Sequence, residues 1–271
     1  MSRSPIYGVL KDEEDKRDYS ARDLVVTAVP LPAEYIVDKK AMIYDQNGYP
    51  RCAAYAGAGV KTDEEFLESG IHVEFDADRL YVECKKIDGI PNLPGTYPRI
   101  VCKVLQKQGI AISMASSCPF AFLKPKPLPP TPDEIYKNRI EAYYRIEPGS
   151  PAEFVKQVIY QFGSILVASY WYNSWNGAKA VFPEPDYAIE RHAYRFIGWN
   201  GVGFVTANSW GKLLWGKSGI STMPSQMFLD KVLPEGDVWK LVDYVPPKAG
   251  AITLTECLNA NPPLIACDMR W

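Results

Sequence analysis

A thiol, an imidazole and an amide stand far apart in this sequence, in an order that lets them act together only if the chain folds back on itself. Cys52 lies in the first quarter of the 271 residues, His192 follows 140 positions later, and Asn208 lies sixteen positions beyond His192. The chain has only two histidines, so the choice of a partner base is narrow. If the three side chains share a site, the fold must bring the start of the chain against its last third.

The residue pattern changes from helical to strand-like along the chain, which predicts an α+β protein. Residues 1–33 are polar and charged and are interpreted as an arm without a core of its own. Residues 34–130 are predicted to form a helical lobe that carries the thiol, and residues 131–271 a β-rich lobe that carries the imidazole and the amide. Six prolines make residues 119–132 a stiff connector.

Individual elements follow from periodicity, Gly and Pro positions, and runs of β-prone residues. Helices are predicted from Cys52 to about 60, over 76–86 and 97–109, and from 150 to about 162. Strands are predicted over 143–146, 164–172, 193–199 and 203–210.

The last two strands flank Asn200-Gly201, which is a strong hairpin signal. A three-residue loop centred on Asn200 places His192 directly opposite Asn208, and a two-residue loop misses by one residue. Either register brings the two side chains within cross-strand reach. An amide oxygen that accepts from one ring nitrogen would hold the imidazole and leave its other nitrogen to face a thiol.

Cys52 is predicted to begin a helix, where the helix dipole favours a thiolate. A nearby imidazolium would lower the pKa of the thiol further, so Cys52 and His192 are expected to form a thiolate–imidazolium pair. Gln46 precedes Cys52 by six residues. Its side-chain amide and the Cys52 backbone N–H could donate to an oxyanion. These parts together indicate a cysteine hydrolase.

Composition excludes several other classes. The net charge of −2 gives no reason to expect a nucleic acid or an anionic membrane as a partner, and no apolar run is long enough for a transmembrane helix. The first residues do not form a signal peptide, which favours cytoplasmic synthesis, including association with a phage or other particle. The six cysteines form no CxxC pair, so mostly free thiols are expected. No metal or cofactor is expected, and the oligomeric state is left open.

Four blocks of this sequence resemble the papain family of cysteine peptidases. They are Asp45-Gln46 with Cys52, Gly95-Thr-Tyr-Pro98 with the helix that follows it, His192-Ala193, and Asn208-Ser-Trp-Gly211 with Trp215-Gly-Lys-Ser-Gly219. The order and spacing are also similar to that family. The resemblance implies a two-lobe fold in which a helical lobe and an antiparallel β-barrel-like lobe enclose a cleft. It further implies a peptide or protein substrate and cleavage through an acyl-enzyme.

By this resemblance, each matching position takes a role. Cys52 would be the nucleophile, His192 the acid and base, Asn208 the orienting group and Gln46 the oxyanion donor, while Trp210 would shield the His–Asn hydrogen bond. The substrate-binding positions would be Gly95, Thr96, Tyr97, Pro98, Val167, Ala193 and Trp210. Most of these are apolar, which predicts a preference for an apolar residue two positions before the cleaved bond.

Several departures from the family pattern keep other functions open. Tyr49-Pro-Arg precedes Cys52 and Ala53 follows it, where the family has Cys-Gly-Ser and Trp. A non-catalytic papain-like scaffold that binds peptides or partners is one alternative, and a Cys–His acyltransferase is another. Residues 1–33 are too short and too polar for an independent inhibitory domain, so the chain is predicted to be active without proteolytic maturation.

Overall fold

The structure is a computed structural model that describes residues 7–25, 27–113 and 130–243. The predicted connector over 119–132 therefore lies mostly outside the described residues, as do Cys118, Cys257 and Cys267. Among the described cysteines, Cys52, Cys84 and Cys102 are free thiols, as expected.

The first half of the described chain is helical, and the predicted helices are present there. The helices are α1 (Ala21–Leu24), α2 (Cys52–Ser69), α3 (Ala77–Lys85), α4 (Pro98–Lys107), α5 (Pro132–Lys137), α6 (Ala152–Phe162), α7 (Gly211–Leu214) and α8 (Ser225–Met227). A 3₁₀ segment spans Asn173–Gly177, and a π-helical turn spans Phe228–Val232. Since α2, α3 and α4 pack against one another, they form the helical part that the sequence predicts.

Helix α2 runs well beyond the small-residue stretch that suggested it, and its glycines have a packing role. A β-carbon at Gly57 would lie 2.4 Å from Val101 Cγ1, and one at Gly59 would lie 2.3 Å from Arg195 Nη1. Glycine ordinarily weakens a helix interior. Here it lets α4 and an arginine of the β-rich part approach the α2 backbone, so close packing offsets that cost.

The β-rich part is an antiparallel sheet whose centre is the strand that carries His192. The strands are β1 (Tyr35–Ile36), β2 (Ile140–Arg145), β3 (Ile165–Tyr172), β4 (Ala188–Trp199), β5 (Gly203–Ala207), β6 (Ile220–Pro224) and β7 (Asp237–Asp243). They are ordered β2-β7-β3-β4-β5-β6, and β1 pairs with β4. Helix α2 packs on β4, which brings the start of that helix to the strand that bears the imidazole.

The β4–β5 hairpin differs from both predicted registers. Its last strand pair is Trp199 with Phe204, so four residues separate the paired positions, and a bulge lies between Phe196 and Gly198. Asn200 Oδ1 accepts hydrogen bonds from the N–H groups of Val202 and Gly203, which builds a wider turn than a two-residue loop. Because of the bulge and the longer loop, His192 is not directly opposite Asn208.

Three ion pairs join the second half of α2 to the sheet, and all are buried. They are Lys61–Asp243, Asp63–Arg195 and Glu64–Lys240. Arg195 Nε lies 2.8 Å from Asp63 Oδ2, and its guanidinium also donates to the Met42 carbonyl. Buried charges persist only when they are paired, so these contacts fix how the helix faces the sheet.

Within the described parts of the chain, no helix combines the length and the apolar character needed to cross a bilayer.

Candidate active site

The side chains of His192 and Asn208 are in contact, although the two residues are not directly opposite each other in the β4–β5 hairpin. The strand of His192 pairs with β3, where Ser169 lies opposite the histidine. Asn208 directly follows β5, and its Oδ1 lies 2.8 Å from His192 Nε2. A carboxamide oxygen only accepts, so Nε2 must carry the proton in this bond. His192 Nδ1 has no hydrogen-bond partner among the described residues and is therefore the nitrogen available to a thiol.

Aromatic rings enclose the imidazole. The ring centroids of Trp171 and Trp210 each lie 4.8 Å from that of His192. Trp210 is tilted by 35° to the imidazole and Trp171 stands nearly edge-on to it at 81°. These rings exclude water from the His–Asn hydrogen bond, which strengthens it in a low-dielectric setting. Trp210 was anticipated from the sequence, whereas Trp171 was not.

Cys52 is the first residue of α2 and is fully buried. The backbone N–H groups of Ala193 and Gly8 lie within hydrogen-bonding reach of its sulfur. Ala193 directly follows His192 in the sequence. The thiol from the helical part therefore lies against the strand that carries the imidazole, at the residue that follows His192.

The ionisation of this pair differs from the expectation. Burial raises the pKa of the Cys52 thiol to about 11, although backbone hydrogen bonds oppose the shift. Burial lowers the pKa of His192 to about 4, although its bond to Asn208 opposes that shift. At neutral pH the structure therefore favours a neutral thiol beside a neutral imidazole. Desolvation of the site thus shifts both pKa values against the expected thiolate–imidazolium pair.

Gln46 is held in place by contacts from both parts of the protein. Ser209 Oγ donates to Gln46 Oε1 at 2.7 Å, and Gln46 Nε2 donates to the Tyr49 carbonyl at 2.7 Å. The serine bond orients the amide so that its nitrogen, the donor atom, faces the segment leading to Cys52. Ser209 was not predicted, although its place next to Asn208 in the sequence offered a signal.

The N-terminal arm is the reason for the burial. Its residues run through the cleft: Leu10 N donates to the Thr96 carbonyl and Thr96 N donates to the Gly8 carbonyl, both at 3.1 Å. Val9 and Thr96 thereby form a parallel bridge. Since the Gly8 backbone also interacts with the sulfur of Cys52, the arm covers this thiol. The arm, which the sequence predicts to lack a core of its own, thus runs along the cleft without forming a domain.

Gly8 passes through the narrowest point of this path. A β-carbon at Gly8 would lie 2.5 Å from the Pro50 carbonyl oxygen. On the other side, a β-carbon at Gly95, where φ is +84°, would lie 2.4 Å from the Gly8 oxygen. Two backbones approach so closely here that neither position accommodates a side chain.

Beyond the cleft, two carboxylates anchor the arm. Asp12 accepts hydrogen bonds from Arg99 N and from Trp239 Nε1, the latter at 2.9 Å, and its own N–H donates to Asp237. Asp18 forms a two-point contact with the Arg99 guanidinium at 3.0 and 2.6 Å. The arm is therefore held at both the helical part and the sheet.

We expect this anchoring to weaken as the pH rises. Burial, followed by the nearby Asp237 carboxylate, raises the pKa of docked Asp12 to about 7, whereas a free aspartate titrates near ~3.9. Because the pKa is higher in the docked state, docking of the arm is strongest below pH ~3.9 and weakens progressively up to about pH 7. The docking equilibrium constant falls by at most about tenfold per pH unit over this range. Limited proteolysis of the arm should therefore be faster at pH 7 than at pH 5.

The matched control for that measurement is Asp12→Asn, which cannot ionise. Digesting both proteins side by side at each pH cancels the protease's own pH dependence. The ratio of wild-type to variant cleavage should increase from pH 5 to pH 7, and a flat ratio would contradict the role of Asp12.

The predicted substrate-binding positions fall into two groups. Gly95, Thr96, Tyr97 and Pro98 lead into α4 and lie along the arm's path, and Ala193 packs in the same core cluster as Cys52. Val167 is not brought to this group, because it points to the opposite face of β3, into the aromatic cluster. Its neighbours Leu166 and Ala168 share the cluster of Ala193 instead. The alternation of strand side chains explains the difference.

Comparisons with known proteins support the fold. No protein-family model and no curated protein matches the sequence. Among solved structures, xylellain, a cysteine protease from Xylella fastidiosa, is similar with a TM-score of 0.72 and 21% identity, over 90% of this chain and 98% of that chain.

Two further structures show the same likeness. Procathepsin B S9 from Trypanosoma congolense is similar with a TM-score of 0.66 and 18% identity, over 89% of this chain and 87% of that one. The cysteine protease CMS1MS2 from Carica candamarcensis, solved with E-64, is similar with a TM-score of 0.61 and 15% identity, over 79% of this chain and 100% of that one. The predicted resemblance is thus confirmed at the level of structure: this chain has the α+β papain-like fold shared with cysteine proteases.

Proposed function

We propose that this protein is a cysteine peptidase whose cleft is blocked by its own N-terminal arm. One observation carries the proposal: His192 gives Nε2 to Asn208 and keeps Nδ1 without a partner among the described residues, beside the buried Cys52. A structural core histidine would normally have both ring nitrogens satisfied. A histidine that must accept a proton from a thiol needs one of them free.

The chemistry begins once the arm leaves and water enters. Cys52 transfers its proton to His192 Nδ1, and the thiolate attacks the carbonyl carbon of a peptide bond. The Cys52 backbone N–H and Gln46 Nε2 stabilise the resulting oxyanion. The imidazolium returns the proton to the departing amine, which leaves an acyl-enzyme. His192 then takes a proton from a water molecule that attacks the thioester, and the carboxylic acid product and free thiol form.

Opening the cleft by substitution tests this function on the full chain. In Gly8→Val the side chain overlaps Pro50, and overpacking of this kind costs about 1–3 kcal/mol. A free-energy difference of about 1.4 kcal/mol changes an equilibrium constant about tenfold. The population of open cleft, and with it the rate of peptide cleavage, should therefore rise by about 10- to 100-fold over wild type. The measurement is digestion of a peptide library. Gly201→Val is the matched control, because nothing lies within 4 Å of a β-carbon there.

The second half of the test is Gly8→Val/Cys52→Ala, which should cleave nothing while remaining folded. Cleavage by that double variant would disprove the nucleophile. An opened chain whose Cys52 reacts with iodoacetamide but which cleaves no peptide would favour the scaffold alternative. Transfer of an acyl group to an added amine in preference to water would favour the acyltransferase.

A further inference from the structure

The arm places a tyrosine directly beside the site's imidazole. The Tyr7 ring stands nearly perpendicular to that of His192, with centroids 5.9 Å apart, and lies 6.2 Å from that of Trp210. Its hydroxyl donates to Asn176 Oδ1 at 2.9 Å. The ring is half-buried, so it fills a recess with aromatic walls and one polar group at its end.

The polarity of that end group is fixed by a buried neighbour. Trp171 Nε1 donates to the same Asn176 Oδ1, also at 2.9 Å. Trp171 is fully buried, and an indole N–H can only donate. Turning the amide over would place its NH₂ group against the indole N–H and leave a buried donor unpaired. Asn176 therefore presents an oxygen to the recess, and this oxygen prefers a ligand that donates.

Charge around the recess selects among donors. Burial raises the pKa of Tyr7, its bond to Asn176 opposes the shift, and the Glu190 carboxylate raises it further. A phenol here stays protonated and donates. The same carboxylate disfavours an anionic ligand, such as a phosphorylated tyrosine.

The recess also has a defined place relative to the reacting sulfur. The backbone N–H of Gly8 interacts with the Cys52 sulfur, and Tyr7 is the residue next to Gly8 in the sequence. A side chain in this recess therefore belongs to a residue adjacent to the one at the sulfur. The recess is separate from the Thr96 contacts, which the arm makes through Gly8 and Leu10.

We propose that Asn176, with the rings of His192 and Trp210, forms a subsite that selects a tyrosine side chain next to the cleaved bond of the substrate. The arm uses the same subsite with Tyr7 to hold the cleft shut. As a statement about substrate, the inference rests on the proposed peptidase function. As a statement about binding, it is tested without any catalysis.

The binding test is a double-mutant cycle on the full chain that measures the rate at which iodoacetamide alkylates Cys52. Tyr7→Phe loses one hydrogen bond, so the rate should rise by about two- to tenfold. In the Asn176→Ala variant, adding Tyr7→Phe should not change the alkylation rate further. Tyr19→Phe is the matched control, since Tyr19 is 62% exposed. A Cys52→Ala background corrects for the other thiols.

The substrate test uses Gly8→Val and paired peptides that differ only in Tyr or Phe at single positions. At one position beside the cleaved bond, Tyr should be preferred by about two- to tenfold in kcat/KM. Asn176→Asp keeps an acceptor and should keep the preference, and Asn176→Ala should lose it.

The outcomes separate the two proposals. Coupling in the alkylation cycle without any peptide cleavage would support the subsite and refute the peptidase. Cleavage with equal rates for Tyr and Phe at every position would leave the peptidase intact and overturn the subsite. An alkylation effect of Tyr7→Phe that is the same with and without Asn176 would also overturn it.

Discussion

Replacing Lys240 with methionine should lower the free energy of unfolding by about 3–5 kcal/mol. Lys240 is fully buried on β7, where it pairs with Glu64 of α2 and donates to the Ser164 carbonyl at 3.1 Å. Removing the ammonium leaves the Glu64 carboxylate buried without its partner, in surroundings where burial already raises its pKa. Denaturant unfolding followed by tryptophan fluorescence measures the loss.

Two comparisons make this result specific. Glu64→Leu/Lys240→Met removes both charges and should recover most of the stability, because replacing a buried pair with apolar groups is often neutral. Lys86→Met breaks the pair with Glu83, in which the lysine side chain is 59% exposed, and should cost at most about 1 kcal/mol. Equal effects of Lys240→Met and Lys86→Met would contradict a buried, charged pair.

In the opened Gly8→Val chain, His192→Ala should reduce kcat/KM for peptides by a factor on the order of 10⁴ or more, and Asn208→Ala by a smaller one. In the proposed mechanism His192 carries the proton, whereas Asn208 only orients the ring through its 2.8 Å bond. Steady-state kinetics with one fluorogenic peptide compare the two. If both substitutions cause the same loss, the orienting role is wrong.

The pH profile of the same opened chain carries a related expectation. Burial holds the pKa of Cys52 near 11 and that of His192 near 4 in the blocked structure. Hydration should bring the thiol pKa down and the imidazole pKa up, so that a bell-shaped profile develops. In the blocked chain, thiol titration followed by ultraviolet absorbance should show no thiolate from Cys52 at neutral pH.

The sequence was most informative where the signal was local. The helices that became α3, α4 and α6, and the strand β3, follow from periodicity and Pro or Gly positions within each segment. The hairpin was recognised but placed in the wrong register, because its bulge near Gly198 depends on contact with Tyr35, far away in the chain. A β-carbon at Gly198 would lie 2.0 Å from the Tyr35 oxygen, which no local pattern reveals.

The blocked cleft was missed for a similar reason. The pairing of the arm with Thr96 uses backbone groups, which every residue type supplies, so polar composition alone made residues 1–33 look independent. Asn176 and Trp171 were missed because each becomes meaningful only through the other and through Tyr7. The proposed catalytic positions were found because their order and spacing, and the motif blocks around them, are contained in the sequence itself.

The ion pairs of α2 also determine how the Cys52 side chain is oriented. The charges at Lys61 and Glu64 lie about 14 and 18 Å along the helix axis from Cys52, and turning the helix by one residue would swing the sulfur by about 100°. Pairs with two separate strands, Glu64 with Lys240 on β7 and Asp63 with Arg195 on β4, prevent that rotation. The ion pairs at the far end of the helix thus set the orientation of Cys52 at its start. Substitutions there, which never touch a substrate, can therefore misorient the thiol.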